Sequence, residues 1–199
     1  MTEPPRLLDT LRAELKDLQM KLGATFLFVT HDQIEAMSMG DKVGVLNAGR
    51  IVQVGTPQEI YNQPRDTFVA GFVGSPAINL VPGELRNGRV SAMAGRLDIP
   101  LNGAAARKAA GAEGPVMLGI RSEDIRVGPH EAIEARVHDV ENHGVEKIVT
   151  LRVDDQLFKA TVPATVEVAV ENAVRFSWNP DKLHCFDRQT GANLAARSA

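Results

Sequence analysis

The 199 residues carry 44% hydrophobic and 24% charged side chains, ordinary proportions for a soluble globular chain with room for one large domain or two small ones. A formal net charge of −3 gives no electrostatic footprint for nucleic acid or an anionic membrane. The single cysteine, Cys185, excludes an internal disulfide and fits a reducing compartment. No apolar run approaches the ~20 residues of a membrane helix, and the first residues lack the basic and apolar regions of a secretion signal. Any membrane association is therefore expected to run through a protein partner, without direct insertion.

Leu8, Leu11, Leu15, Leu18 and Leu22 recur at alternating steps of three and four, which predicts one apolar helical face closed by Gly23. Residues 25–30, Thr-Phe-Leu-Phe-Val-Thr, form a short apolar run without alternation. It is expected to be a strand buried on both faces, as in a parallel sheet. The chain turns at His31, and Asp32 and Glu35 have the spacing of a capping box, opening a short helix that stops at Gly40. Residues 43–46 and 50–54 flank Asn47-Ala48-Gly49 and predict a hairpin. Thr56-Pro57-Gln58-Glu59 is a helix start, with Thr at the N-cap, Pro at the first position and Glu at the third. A further helix is expected through Phe68, Val69, Phe72 and Val73, stopped by Gly74-Ser75-Pro76.

Beyond Pro76 the texture changes to short apolar stretches separated by glycines and acidic turns: 78–85, 89–99, 116–121, 133–140, 145–153, 157–162 and 174–178. Strands so spaced predict a small barrel or sandwich. Residues 104–114 read as a surface excursion. The domain expectation is therefore 1–76 and 77–199, a part of mixed helix and strand followed by a small barrel or sandwich.

His31 sits where a buried strand is expected to end and a helix to begin, a position that faces ligands in open α/β sheets. An imidazole there can hydrogen-bond a phosphate oxygen or a water. It can equally help to cap the next helix. The wider context decides. Val29-Thr30-His31-Asp32-Gln33-Ile34-Glu35-Ala36-Met37, Asp41-Lys42-Val43, the run from Gly49 to Tyr61 and Phe68-Val69-Ala70-Gly71-Phe72-Val73-Gly74-Ser75-Pro76 stand in one register. Together they resemble the ATP-binding subunits of ABC importers for sugars and glycerol phosphate. The resemblance implies that the first block is the switch loop and that His31 is the switch histidine, which contacts the γ-phosphate of ATP. Thr2-Glu3-Pro4-Pro5-Arg6-Leu7-Leu8-Asp9 resembles the end of a Walker B element and a D-loop. It implies the catalytic-glutamate position for Glu3 and the D-loop aspartate for Asp9. Thr2 stands where the family has an acidic residue, and Arg6-Leu7 replace its usual small pair. Without that match Glu3 is a solvated terminal acid.

The C-terminal half resembles the regulatory domain of the same subunits, an OB-like barrel called TOBE. The matching residues are Leu118-Gly119-Ile120-Arg121-Ser122-Glu123-Asp124-Ile125, Val140-Glu141-Asn142-His143-Gly144-Val145-Glu146 and the run from Trp178 to Asp187. Ser122 and Cys185 replace a usual proline and a usual apolar residue. The fold class implied is α+β, a partial P-loop ATPase lobe followed by an all-β barrel. The implied function is the energy-coupling subunit of an importer, using ATP and Mg²⁺ when complete. Its expected partners are a second copy through the barrel and membrane-spanning permease subunits, at the cytoplasmic face of the membrane.

No G-x-x-x-x-G-K-[ST], Q-loop or Leu-Ser-Gly-Gly-Gln-like signature occurs in the sequence. The chain alone is therefore expected to bind no cofactor and to hydrolyse no ATP. Two rivals remain: a regulatory OB module for a small ligand or a protein with an inert ATPase remnant, and an OB-fold nucleic-acid binder. The acidic balance and 5% aromatic content count against the second. Arg121, Glu123 and Asp124 read as a polar contact site or a charged turn. His130, His138, His143 and His184 lack partners at metal-ligand spacing and read as surface residues, so no metal site is expected. Trp178 and Phe186 read as barrel core or a dimer contact, and Cys185 as a small buried hydrophobe.

Overall fold

The structure, a computed structural model, describes residues 7–101, 109 and 111–195, excluding the side chains of 7–9, 12 and 94. It contains two compact units, residues 1–62 and 63–199. Most of its regular structure is antiparallel β.

The first unit opens with α1 (Leu7–Leu22). Gly23 ends it at φ +59°, its N–H donating to the Met20 carbonyl at 3.3 Å, so the expected glycine stop is met. The apolar stripe is present but uncovered: Leu15 is 38% exposed and Leu22 63%. After α2 (Gln33–Met39), strands β1 (Val43–Asn47) and β2 (Arg50–Gly55) pair antiparallel around Ala48 and Gly49, both at positive φ. That is the conformation a two-residue hairpin turn requires. Then α3 (Pro57–Asn62) begins as the sequence predicts. The Thr56 hydroxyl accepts from the Glu59 N–H at 3.2 Å, and the Glu59 carboxylate accepts from the Thr56 N–H at 2.8 Å. These bonds hold the Glu59 carboxyl below its ordinary pKa.

The expected strand over residues 25–30 does not form. The segment has no ladder partner among the described residues, and Leu27 and Val29 are 92% and 94% exposed. A strand buried on both faces exists only when neighbouring strands satisfy its backbone and cover its side chains. Local propensity cannot replace them. No parallel strand pair occurs among the described residues, so an α/β lobe is not formed by these residues alone.

The second unit starts with α4 (Thr67–Phe72), whose N-cap Asp66 accepts from the Val69 N–H at 2.8 Å. Strands β3 (Asn79–Arg86), β4 (Arg89–Ala92), β5 (Leu97–Pro100), β6 (Gly114–Ile120) and β12 (His184–Asp187) form one sheet in the order β12-β6-β3-β4-β5. Strands β7 (Ile125–Val127), β8 (Ile133–Asn142), β9 (Glu146–Val153), β10 (Gln156–Pro163) and β11 (Ala173–Trp178) form the other, in the order β10-β9-β8-β11-β7. The seven expected stretches all contain strands, and 89–99 divides into β4 and β5 at a 3-10 turn, Met93–Gly95. The excursion expected over 104–114 lies mostly outside the described residues.

The two sheets curl into a near-closed barrel. One core runs between them, with Phe158, Phe176 and Leu118 fully buried and Trp178 packed 5.9–6.3 Å from the two phenylalanine rings. Burying each such side chain contributes about 1.5–3 kcal/mol. Closure relies on side chains as well as ladders. The Asn79 side chain on β3 donates to the carbonyls of Ile120 (3.0 Å) and Lys159 (2.9 Å), and accepts from the Lys159 N–H at 2.7 Å. The Thr161 hydroxyl donates to that of buried Ser122 at 2.9 Å. Asn79 thus occupies the place of a neighbouring backbone along the edge of β10. A small OB-like barrel of this type matches the β part of the expected fold class.

Candidate functional site

The site singled out by the sequence is the turn from residue 30 to residue 35. Its backbone is fixed by short polar side chains. The Thr30 hydroxyl accepts from the Asp32 N–H at 2.9 Å and donates to the Glu35 carboxylate at 2.8 Å. Asp32 caps α2, accepting from the N–H groups of Ile34 (2.8 Å) and Glu35 (3.1 Å). Three consecutive tasks are thus solved locally: Thr30 orders the turn, Asp32 starts the helix, and Glu35 ties the helix back to the turn. His31 lies between two anchored residues and is itself exposed. The capping reading therefore belongs to Asp32, not to His31.

This arrangement can present an imidazole on a defined loop. Phosphates are held by a nest of backbone N–H groups with a lysine, and the sequence contains no glycine-rich loop to make one. Of the other site residues, Glu3 lies outside the described residues and Asp9 lies in α1. Among the described residues, no group of three or more His, Cys, Asp or Glu is placed to hold a metal ion. No helix there is long and apolar enough to cross a membrane.

Arg121, read from sequence as part of a charged turn or polar contact site, is only 2% exposed. Its guanidinium donates to the carbonyls of Ala70 (3.1 Å) and Val73 at the end of α4. It therefore completes a helix C-terminus, where a cation also meets the favourable end of the backbone dipoles. A buried structural arginine and an exposed one look alike in a sequence when the helix they cap is ~50 residues away. The neighbouring Asp124 carboxyl is raised above its ordinary pKa by burial first and by the Glu123 charge second. Burial raises the Cys185 thiol to about 11, which makes it the small buried hydrophobe the sequence suggested. Trp178 and Phe186 are both core. Of the histidines, His130, His138 and His143 are exposed, while His184 is half-buried and stacks on Phe186 with ring centroids 6.1 Å apart.

Comparison with known proteins places these features in a lineage. Residues 74–125 match the MalK OB fold domain and residues 118–186 match the TOBE domain. The sn-glycerol-3-phosphate import ATP-binding protein UgpC of Jannaschia sp. is 39% identical over 95% of this chain and 52% of its own length. The xylose/arabinose import ATP-binding protein XacK of Haloferax volcanii is 40% identical over 99% and 54%, and the trehalose/maltose import ATP-binding protein MalK of Thermococcus litoralis 39% over 96% and 55%. The chain spans about half the length of the curated relatives it matches. Over 95% or more of its length the chain is similar to ATP-binding proteins of sugar and glycerol-phosphate importers, and it carries the MalK OB fold and TOBE domains.

Proposed function

We propose that this chain supplies the C-terminal part of the energy-coupling subunit of an ABC importer for sugars or related solutes. The observation that carries the reading is the match to importer ATP-binding proteins over 95% or more of the chain. In this reading residues 1–76 are the end of a P-loop ATPase lobe and 77–199 the regulatory barrel. His31 contacts the γ-phosphate of ATP once a phosphate-binding half is present. Glu3 occupies the catalytic-glutamate position and Asp9 that of the D-loop aspartate. The barrel pairs with a second copy, and permease subunits hold the complete assembly at the inner face of the membrane. ATP and Mg²⁺ belong to that assembly; phosphoryl transfer depends on positioning and charge stabilisation that this chain alone does not supply.

The rival reading is a regulatory OB module whose ATPase remnant is inert. Calorimetric titration of the purified chain with MgATP, a sugar phosphate, molybdate and an oligonucleotide separates the two. The importer reading expects no heat of binding from any of them. Micromolar binding of a small anion would favour the rival, and saturable binding of the oligonucleotide would overturn both.

A further inference from the structure

The C-terminal segment from the end of β12 makes contacts with residues that precede it by more than a hundred positions and lie just before the first barrel strand. Phe186, fully buried, packs with Ala70 of α4 and with Ile78. The chain then reverses in a tight turn. The Asp187 carboxylate accepts from the N–H groups of Gln189 (3.1 Å) and Thr190 (2.7 Å), and the Asp187 N–H donates to the Ala192 carbonyl at 2.9 Å. This reversal lays residues 191–193 alongside residues 64–67. The Thr67 N–H donates to the Gly191 carbonyl at 2.9 Å, the Asn193 N–H to the Arg65 carbonyl at 2.8 Å, and Asp66 and Ala192 form an antiparallel bridge. The Asn193 side chain, 4% exposed, donates to the Pro64 carbonyl at 2.7 Å across a sequence separation of 129. Gly191 is at φ +71°, and a Cβ there would lie 2.7 Å from the Thr67 hydroxyl. Only glycine permits so close an approach.

A six-residue helix such as α4 has no stability of its own in water. Its order must come from what it touches, and Asn193, Gly191, Phe186 and Arg121 supply contacts at both of its ends and beneath it. We propose that residues 187–195 are a clasp that binds residues 64–67, so that the connecting segment from Pro64 through α4 moves as part of the barrel. The sequence suggested the opposite allegiance, since helical texture runs to Pro76. In an importer subunit, a reading this consequence rests on, the clasp would make Pro64 the point from which the barrel is carried rigidly. The clasp itself is testable on this chain whatever the importer reading's fate.

The test is amide hydrogen exchange on the full chain and on two variants, Asn193→Ala and a chain ending at Thr190. Loss of the hydrogen bonds that the Asn193 side chain makes to the Pro64 carbonyl and from the Ala195 N–H should speed exchange of the Thr67, Ala70 and Val73 amides about tenfold in Asn193→Ala. Truncation should speed it further. Exchange at Val149 and Leu151, within β9, should stay unchanged in Asn193→Ala. Unchanged exchange across 67–73 in that variant would overturn the proposal. So would acceleration of the β9 amides to the same extent, because residues 187–195 would then be an ordinary piece of the barrel core rather than a clasp on one segment.

Discussion

Asn79 offers the sharpest test of how the barrel is closed. Its amide makes three hydrogen bonds, to the Ile120 carbonyl and to both backbone groups of Lys159, and the residue is 8% exposed. In Asn79→Ala the Lys159 N–H loses its acceptor and two carbonyls each lose a donor, all where water enters poorly. At about 1 kcal/mol net per bond, with a larger penalty for any group left buried and unmatched, the loss should be about 2–4 kcal/mol. Asn79→Asp asks more of the geometry. A carboxylate still accepts from Lys159 but turns an acceptor towards two carbonyls, so at neutral pH it should cost more than alanine. Its folded-state pKa would be raised, so stability should be recovered as pH falls and the group gains a proton to donate. Urea unfolding followed by the fluorescence of Trp178, the sole tryptophan and a core residue, reads the barrel directly. With a slope of about 1–3 kcal/mol per molar, Asn79→Ala should lower the midpoint by about 1–2 M. An unmoved midpoint, or an Asn79→Asp variant insensitive to pH between 3 and 7 on the order of that range, would refute the claim that this side chain seals the edge of β10.

Three further outcomes follow from the same structure. Cys185, with its thiol raised to about 11 by burial, should resist a disulfide reagent at pH ~8 in native buffer and react only on unfolding; rapid stoichiometric labelling of the native protein would contradict this. The Asp124 carboxyl is raised by burial and by Glu123, so the folded state disfavours its charge. Stability from this group is fully present below the ordinary carboxylate range and is lost as pH rises through the raised value. Asp124→Asn should therefore match the parent in acid and exceed it at neutral pH, and thermal melts across pH that show a constant difference would count against the assignment. At Gly119 a Cβ would lie 2.8 Å from the Phe186 ring and 2.9 Å from Ile78. Gly119→Ala should cost about 1–3 kcal/mol by overpacking, and a neutral urea midpoint would show that β12 yields more easily than its packing suggests.

Much of this fold was legible because its signals are local. Thr56-Pro57-Gln58-Glu59 and Asp32 with Glu35 name their own hydrogen bonds, and the structure makes them. The barrel strands β8 to β11 announce themselves through β-branched and aromatic runs. What local pattern could not give was anything requiring a distant partner. Residues 25–30 have a strand's composition but no neighbours to pair with among the described residues. Strands β7 and β12 were missed because three or four residues, bounded in β12 by His184 and Asp187, carry too little pattern to be read. Arg121 and Asn193 appear as ordinary polar residues until the fold brings α4 and residue 64 to them. At the candidate site, the type and order of Thr30, His31 and Asp32 were readable. That Thr30 and Glu35 bond each other across the turn was not.

The role proposed for His31 requires that it act when the rest of an ATPase is supplied. The direct measurement is Mg²⁺-dependent phosphate release by a chimaera in which the N-terminal portion of the Jannaschia UgpC protein is joined ahead of residue 10 of this chain, compared with its His31→Ala variant and with this chain alone. Removing one electrostatic contact to a transferring group typically lowers turnover about 10²–10³-fold. If His31 contacts the γ-phosphate, the chimaera releases phosphate, His31→Ala lowers the rate by that order while nucleotide still binds, and this chain alone matches buffer. Equal rates for the chimaera and its His31→Ala variant, or steady release by this chain alone, would contradict it.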